Sequence, residues 1–144
     1  MHSHDPKKKL LFLDFDGVLH STTSAYDDLF CKAVLLSDLL AKSPCDVVIS
    51  SSWRFNYELD HLRSRLPSPL SGMILGKTGD PEVGRWARYM EIKKYMAVNK
   101  LNSDWRALDD AFLEFPKECP ELILCHPKIG LNNKAIDTLK SWLN

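Results

Sequence analysis

The chain has 144 residues, 44% of them hydrophobic and 26% charged, which suits one globular domain built around a single core. Nineteen Lys and Arg balance nineteen Asp and Glu, so no overall field recommends a nucleic acid or a membrane surface, although a local basic pocket stays open. The polar start, Met1 to Lys9, lacks the apolar stretch of a signal peptide or membrane span, and the four cysteines (Cys31, Cys45, Cys119 and Cys125) form no C-x-x-C pair. The expectation is a reduced, cytoplasmic protein with a disordered tail over 1–8 and one domain over 9–144.

Leu10 to Phe15 is an apolar run ending in acids, the pattern of a central parallel strand buried on both faces. Asp27 or Asp28 can then cap a helix through about Lys42, with Leu29, Ala33, Leu36 and Leu40 on one face. Val47 to Ile49 repeats the strand pattern and stops at Ser50-Ser51-Ser52. Asn56 to Leu66 reads as a second helix, ended by Pro67. Met73 to Leu75 is a short strand. Asp80-Pro81 reads as an N-cap with proline at the first helical position, opening a helix that carries Tyr89, Ile92 and Met96 inward. Ala107-Leu108 precedes Asp109-Asp110, and Leu122 to Cys125 precedes His126-Pro127. Asn132 or Asn133 can cap a last helix burying Ile136, Leu139 and Leu143. Strands alternating with helices predict an α/β fold, a three-layer, doubly wound, Rossmann-like parallel sheet of about five strands.

In such a sheet, ligands bind outside the carboxyl ends of the strands. Here those ends carry Asp14-Phe15-Asp16-Gly17, Ser50-Ser51-Ser52 and Asp109-Asp110. Two carboxylates at i and i+2 can divide two jobs: one ligates a hard cation and attacks an electrophile, the other donates and accepts protons. Gly17 lets the chain turn away sharply. Adjacent acids such as Asp109 and Asp110 repel, and a cation between them removes the repulsion. Mg²⁺ keeps several waters, so two or three aspartates and a backbone carbonyl suffice for it.

These motifs resemble the haloacid dehalogenase (HAD) superfamily of aspartate-nucleophile phosphatases. The strand followed by Asp-x-Asp-Gly matches LLFLDFDGVL, the strand ending in Ser or Thr matches VVISSSWR, and the strand ending in paired acids matches RALDD. The SWR and R-x-x-E-I stretches look like a subgroup related to the phosphatase modules of RNA-repair proteins. The resemblance implies Asp14 as nucleophile and Asp16 as general acid and base, with Mg²⁺ held by Asp14, the Asp16 carbonyl, Asp109 and Asp110. It implies Ser51 on a phosphoryl oxygen and Arg88 neutralising the phosphoryl group, with Arg85 the alternative cation. Ser50 competes with Ser51, because side-chain alternation puts only one of them on the Asp14 side. His20 and Arg54 are candidates for contact with substrate. Trp53 could stack on a base or simply pack at a helix start.

The stretches after Gly17 and after Ser52 leave room for a flap, helices and a short strand, but for no separate cap domain. An open site suits a phosphorylated nucleotide or nucleic-acid end, and nothing calls for an obligate protein partner. A phosphotransferase, a protein or small-metabolite phosphatase, and a non-catalytic binding domain are the competing readings.

Overall fold

A computed structural model describes residues 8–144; the predicted tail over 1–8 thus lies outside the described residues except for Lys8. Five strands form one parallel sheet: β1 (Leu10–Leu13), β2 (Asp46–Ile49), β3 (Ile74–Lys77), β4 (Trp105–Asp109) and β5 (Leu122–Leu124), in the order β3-β2-β1-β4-β5. Four helices connect or flank them: α1 (Ala33–Lys42), α2 (Leu59–Ser64), α3 (Ala87–Val98) and α4 (Asn133–Leu143). The chain order reverses direction across the sheet at β1, so the crevice of a doubly wound fold opens there.

Alternation along the strands builds the two faces. Leu11 and Leu13 of β1 pack with Val47, Ile49, Leu108 and Ile123 beneath α1, α2 and α4. Leu10 and Phe12 turn the other way and pack with Val48, Trp105 and Ala107 against Ile92 and Met96 of α3. All four β1 residues are fully buried, which is why that strand tolerates no polar position until it ends. The registers Phe12↔Val48 and Phe12↔Ala107 therefore fix what emerges on the α3 face two residues later.

Helix beginnings differ from the sequence reading. The helix predicted from Asp27 or Asp28 is a single 3₁₀ turn over Tyr26–Asp28, and α1 begins at Ala33. Phe30 interrupts it with φ 62°, because its N–H is drawn to His20 Nδ1 and its ring is buried against Phe15 and Trp53. Likewise Asp80-Pro81 opens no helix, since Trp86 (φ 58°) precedes α3, which starts at Ala87. The intervening strand of backbone is held by Glu82 N–H on Glu91 Oε2 and Gly79 O under Arg54 Nε. α2 is shorter than Asn56–Leu66, because Ser52–Phe55 forms its own 3₁₀ turn and Glu58 is extended. Asn132 caps α4 by accepting from Ala135 N–H at 2.8 Å. The buried stripe of α4 is Ala135, Leu139 and Trp142, leaving Ile136 and Leu143 half-buried.

Among the described residues no separate cap is inserted between the strands, and no helix is long and apolar enough to cross a membrane.

Candidate active site at the carboxyl ends of β1, β2 and β4

The register that places Phe12 beside Val48 and Ala107 places Asp14, Ser50 and Asp109 side by side at the strand ends. Backbone bonds extend the ladder to that level: Asp14 N–H donates to Leu108 O at 3.1 Å, and Ser50 N–H to Leu13 O at 3.0 Å. All three side chains are buried. The Ser50 hydroxyl has no hydrogen-bond partner, and among the described residues only Thr78 Oγ1 shares that state. A buried hydroxyl without a partner costs free energy unless a ligand supplies one.

Ser51 behaves differently. Its hydroxyl accepts from Trp53 N–H at 3.2 Å and so caps the 3₁₀ turn that follows. The strand register thus brings Ser50 to Asp14, while Ser51 shapes the turn.

Arg88 extends from the first turn of α3 over the same face. Its Nη1 donates to Asp109 Oδ2 at 2.7 Å and stands 3.4 Å from Asp14 Oδ1. Arg85 instead lies exposed, 5.5 Å from the Trp86 ring centroid. Burial and the nearby Asp109 carboxylate push the Asp14 pKa well above its ordinary value, with Arg88 opposing them. Burial also raises Asp109, again against Arg88. Burial alone would lower the Arg88 pKa, but Asp109, Asp14, Glu91 and Glu114 outweigh it, so the guanidinium stays charged.

Asp14, Asp109 and Asp110 each offer an oxygen within 4.8 Å of the others. Three carboxylates that close, two of them buried, supply the hard oxygen donors that Mg²⁺ prefers. Asp110 lies directly over Gly17, where an added Cβ would stand 2.1 Å from Asp110 Oδ2, and Gly17 has φ 77°. Only glycine lets the acid settle there.

The Asp16 side chain lies apart from that cluster. Its Oδ1 is 2.7 Å from His20 Nε2, and its Oδ2 accepts from Trp53 Nε1–H at 3.2 Å. His20 is buried and meets Asp16.

Arg54 is also buried, and its donors are directed into the protein. Nη1 donates to Ser50 O and Ser51 O, Nε to Gly79 O, and Nη2 to Glu91 Oε1 at 2.9 Å. Those contacts fix the serine turn, so the donors of Arg54 are spent within the protein and not on the expected contact with substrate. Glu91, which the sequence showed within R-x-x-E-I but with no role, bridges Arg54 and Arg88 (Nε at 3.6 Å). The i, i+3 spacing of Arg88 and Glu91 was the available signal. The indole donor of Trp53 had no signal, because it depends on a turn that sequence does not reveal.

The fold and the acid cluster together define a doubly wound α/β protein of the HAD-like class, with its site at the carboxyl ends of the central strands. A family model described as "HAD domain in Swiss Army Knife RNA repair proteins" matches residues 10–136, and the chain belongs to that family. Membership places it among HAD-type phosphohydrolases in general. No curated protein and no solved structure matches the chain.

Proposed function

We propose that the protein is a Mg²⁺-dependent phosphohydrolase working through an aspartyl-phosphate on Asp14. The observation that carries this reading is the alignment of Asp14 with the partnerless Ser50 hydroxyl and with Asp109, the two acids meeting Arg88. Asp14 attacks phosphorus, and the bond to the leaving oxygen breaks as Asp16 supplies that oxygen with a proton. Asp16 then takes a proton from water as the water oxygen attacks phosphorus, which frees phosphate and Asp14. Arg88 neutralises the equatorial oxygens in both steps, and Ser50 donates to one of them. Asp14, Asp109 and Asp110 would hold Mg²⁺, which supplies charge neutralisation and fixes the phosphoryl group. Ser51 stays with the turn, and Arg54 positions it.

The lack of a separate cap among the described residues suits a bulky substrate, and the family's association with RNA repair points to nucleotides or nucleic-acid ends. Phosphate release should be measured from an aryl phosphate, nucleotides, and 5′- and 3′-phosphorylated oligonucleotides, with Mg²⁺ and with chelator. Expected is Mg²⁺-dependent release with a trappable phosphoenzyme, both lost in Asp14→Asn. Turnover persisting in that variant would overturn the mechanism, and transfer to an added acceptor in place of water would mark a phosphotransferase.

A further inference from the structure

His20 is a buried histidine whose two ring nitrogens both have assigned work. Its side chain is 1% exposed. Nδ1 receives the Phe30 N–H at 3.0 Å, so the neutral ring carries its proton on Nε2. That proton points to Asp16 Oδ1 at 2.7 Å. The left-handed backbone of Phe30 turns its N–H toward the ring, and the Phe30 side chain meets the imidazole edge-on at 5.1 Å. On the other side of the carboxyl group, Trp53 Nε1, which can only donate, reaches Asp16 Oδ2 at 3.2 Å. Trp53 is itself set by Ser51, which accepts its backbone N–H.

Both oxygens of Asp16 are thus held by donors from two separate segments. Each oxygen keeps a second lone pair for the proton that reaction requires. The carboxyl group also lines an open cavity of about 280 Å³ with Ser52, Trp53, Asn56 and Tyr57, and its side chain is 47% exposed. Among the described residues no cationic side chain lines that cavity, so it suits a neutral hydroxyl-bearing group.

We propose that His20 and Trp53 are positioning residues that aim Asp16 at a leaving group seated in this cavity. The inference rests on the phosphohydrolase reading above and goes further, naming what makes the general acid effective. Protonation matters most for poor leaving groups: nitrophenolate departs unaided, whereas an alkoxide needs the proton as the P–O bond breaks.

The test compares p-nitrophenyl phosphate with an alkyl phosphate such as glycerol phosphate in pre-steady-state assays with Mg²⁺. The variants are His20→Phe and Trp53→Phe, which keep a ring but lose the donor, with Asp16→Asn as reference. Each donor loss should slow alkyl phosphate cleavage about tenfold more than nitrophenyl cleavage, in kcat rather than KM, a fraction of the range for general acid catalysis. Added to Asp16→Asn, either change should alter the leaving-group ratio by less than about twofold, because the donors act through that carboxyl group. His20→Gln, whose amide nitrogen can replace Nε2, should recover most of the ratio. Should His20→Phe fail to fold, Trp53→Phe and His20→Gln carry the same comparison. Equal losses on both substrates, or a ratio still falling when Asp16 is already Asn, would overturn the inference. Turnover in Asp14→Asn would instead overturn the underlying reading.

Discussion

Arg88 donates to Asp109 at 2.7 Å and comes only within 3.4 Å of Asp14, so without other ligands it is first the counter-ion of Asp109. Removing it takes a cation from the transition state and leaves a buried acid unpaired. Arg88→Met should lower kcat about 10²- to 10³-fold, the scale for losing one preorganised donor. Arg88→Lys, whose single ammonium cannot keep both the Nη1 contacts to the two aspartates and the Nε contact to Glu91, should recover only part of it. Steady-state assays on an aryl phosphate read both.

Asp14 is buried beside Asp109 and Asp110, an arrangement suited to cation binding and unfavourable for metal-free stability. Asp14→Asn should therefore stabilise the metal-free protein by about 1–2 kcal/mol while abolishing phosphoenzyme formation. Thermal unfolding with chelator, and again with Mg²⁺, checks it: the stabilisation by Mg²⁺ should shrink in the variant.

Arg54 and Glu91 form a buried pair at 2.9 Å, and the same guanidinium fixes the Ser50-Ser51 carbonyls. Arg54→Met should cost about 3–5 kcal/mol, since it leaves Glu91 with a diminished partner set and strips Ser50 O and Gly79 O of their guanidinium donor. Urea unfolding measures this. Arg54→Met with Glu91→Leu should lose less than the two single changes summed.

Gly17→Ala places a methyl group 2.1 Å from Asp110 Oδ2 at a positive φ. The loss should exceed the roughly 1 kcal/mol of the backbone strain alone. Gly17→Ala with Asp110→Ala should recover the steric part in thermal unfolding without restoring Mg²⁺ binding.

Burial, aided by Asp46 at one and Asp109 at the other, pushes the Cys45 and Cys125 thiols up to about 12 from 9.0. Folding thus favours the neutral thiols: that stability is complete below about pH 9 and drains away as the pH climbs toward 12. In mild alkali, iodoacetamide should label exposed Cys31 well before these two, as read by peptide mass mapping.

The order of strands and helices was legible because apolar runs ending in Asp14, in Ser50 and in Asp109 leave few alternatives. Helix starts were not. Asp27 and Asp80 look like caps locally, but the burial of Phe30 and the tether on Glu82 outweigh a cap's modest contribution. The serine register also resisted, because Ser50 and Ser51 are chemically alike and only strand pairing tells them apart. Arg54 looked like a substrate ligand because a sequence displays charge and conceals burial.

The flap that carries His20 is fastened by a distant segment. Thr22 N–H bonds Pro127 O, Leu131 N–H bonds Val18 O, and a Cβ at Gly130 would meet Val18 O at 2.6 Å. During synthesis Asp14 and Asp16 leave the ribosome more than a hundred residues before that fastening exists. A nascent chain can therefore display its acids long before it can aim them, and competence arrives with the docking of residues 126–131.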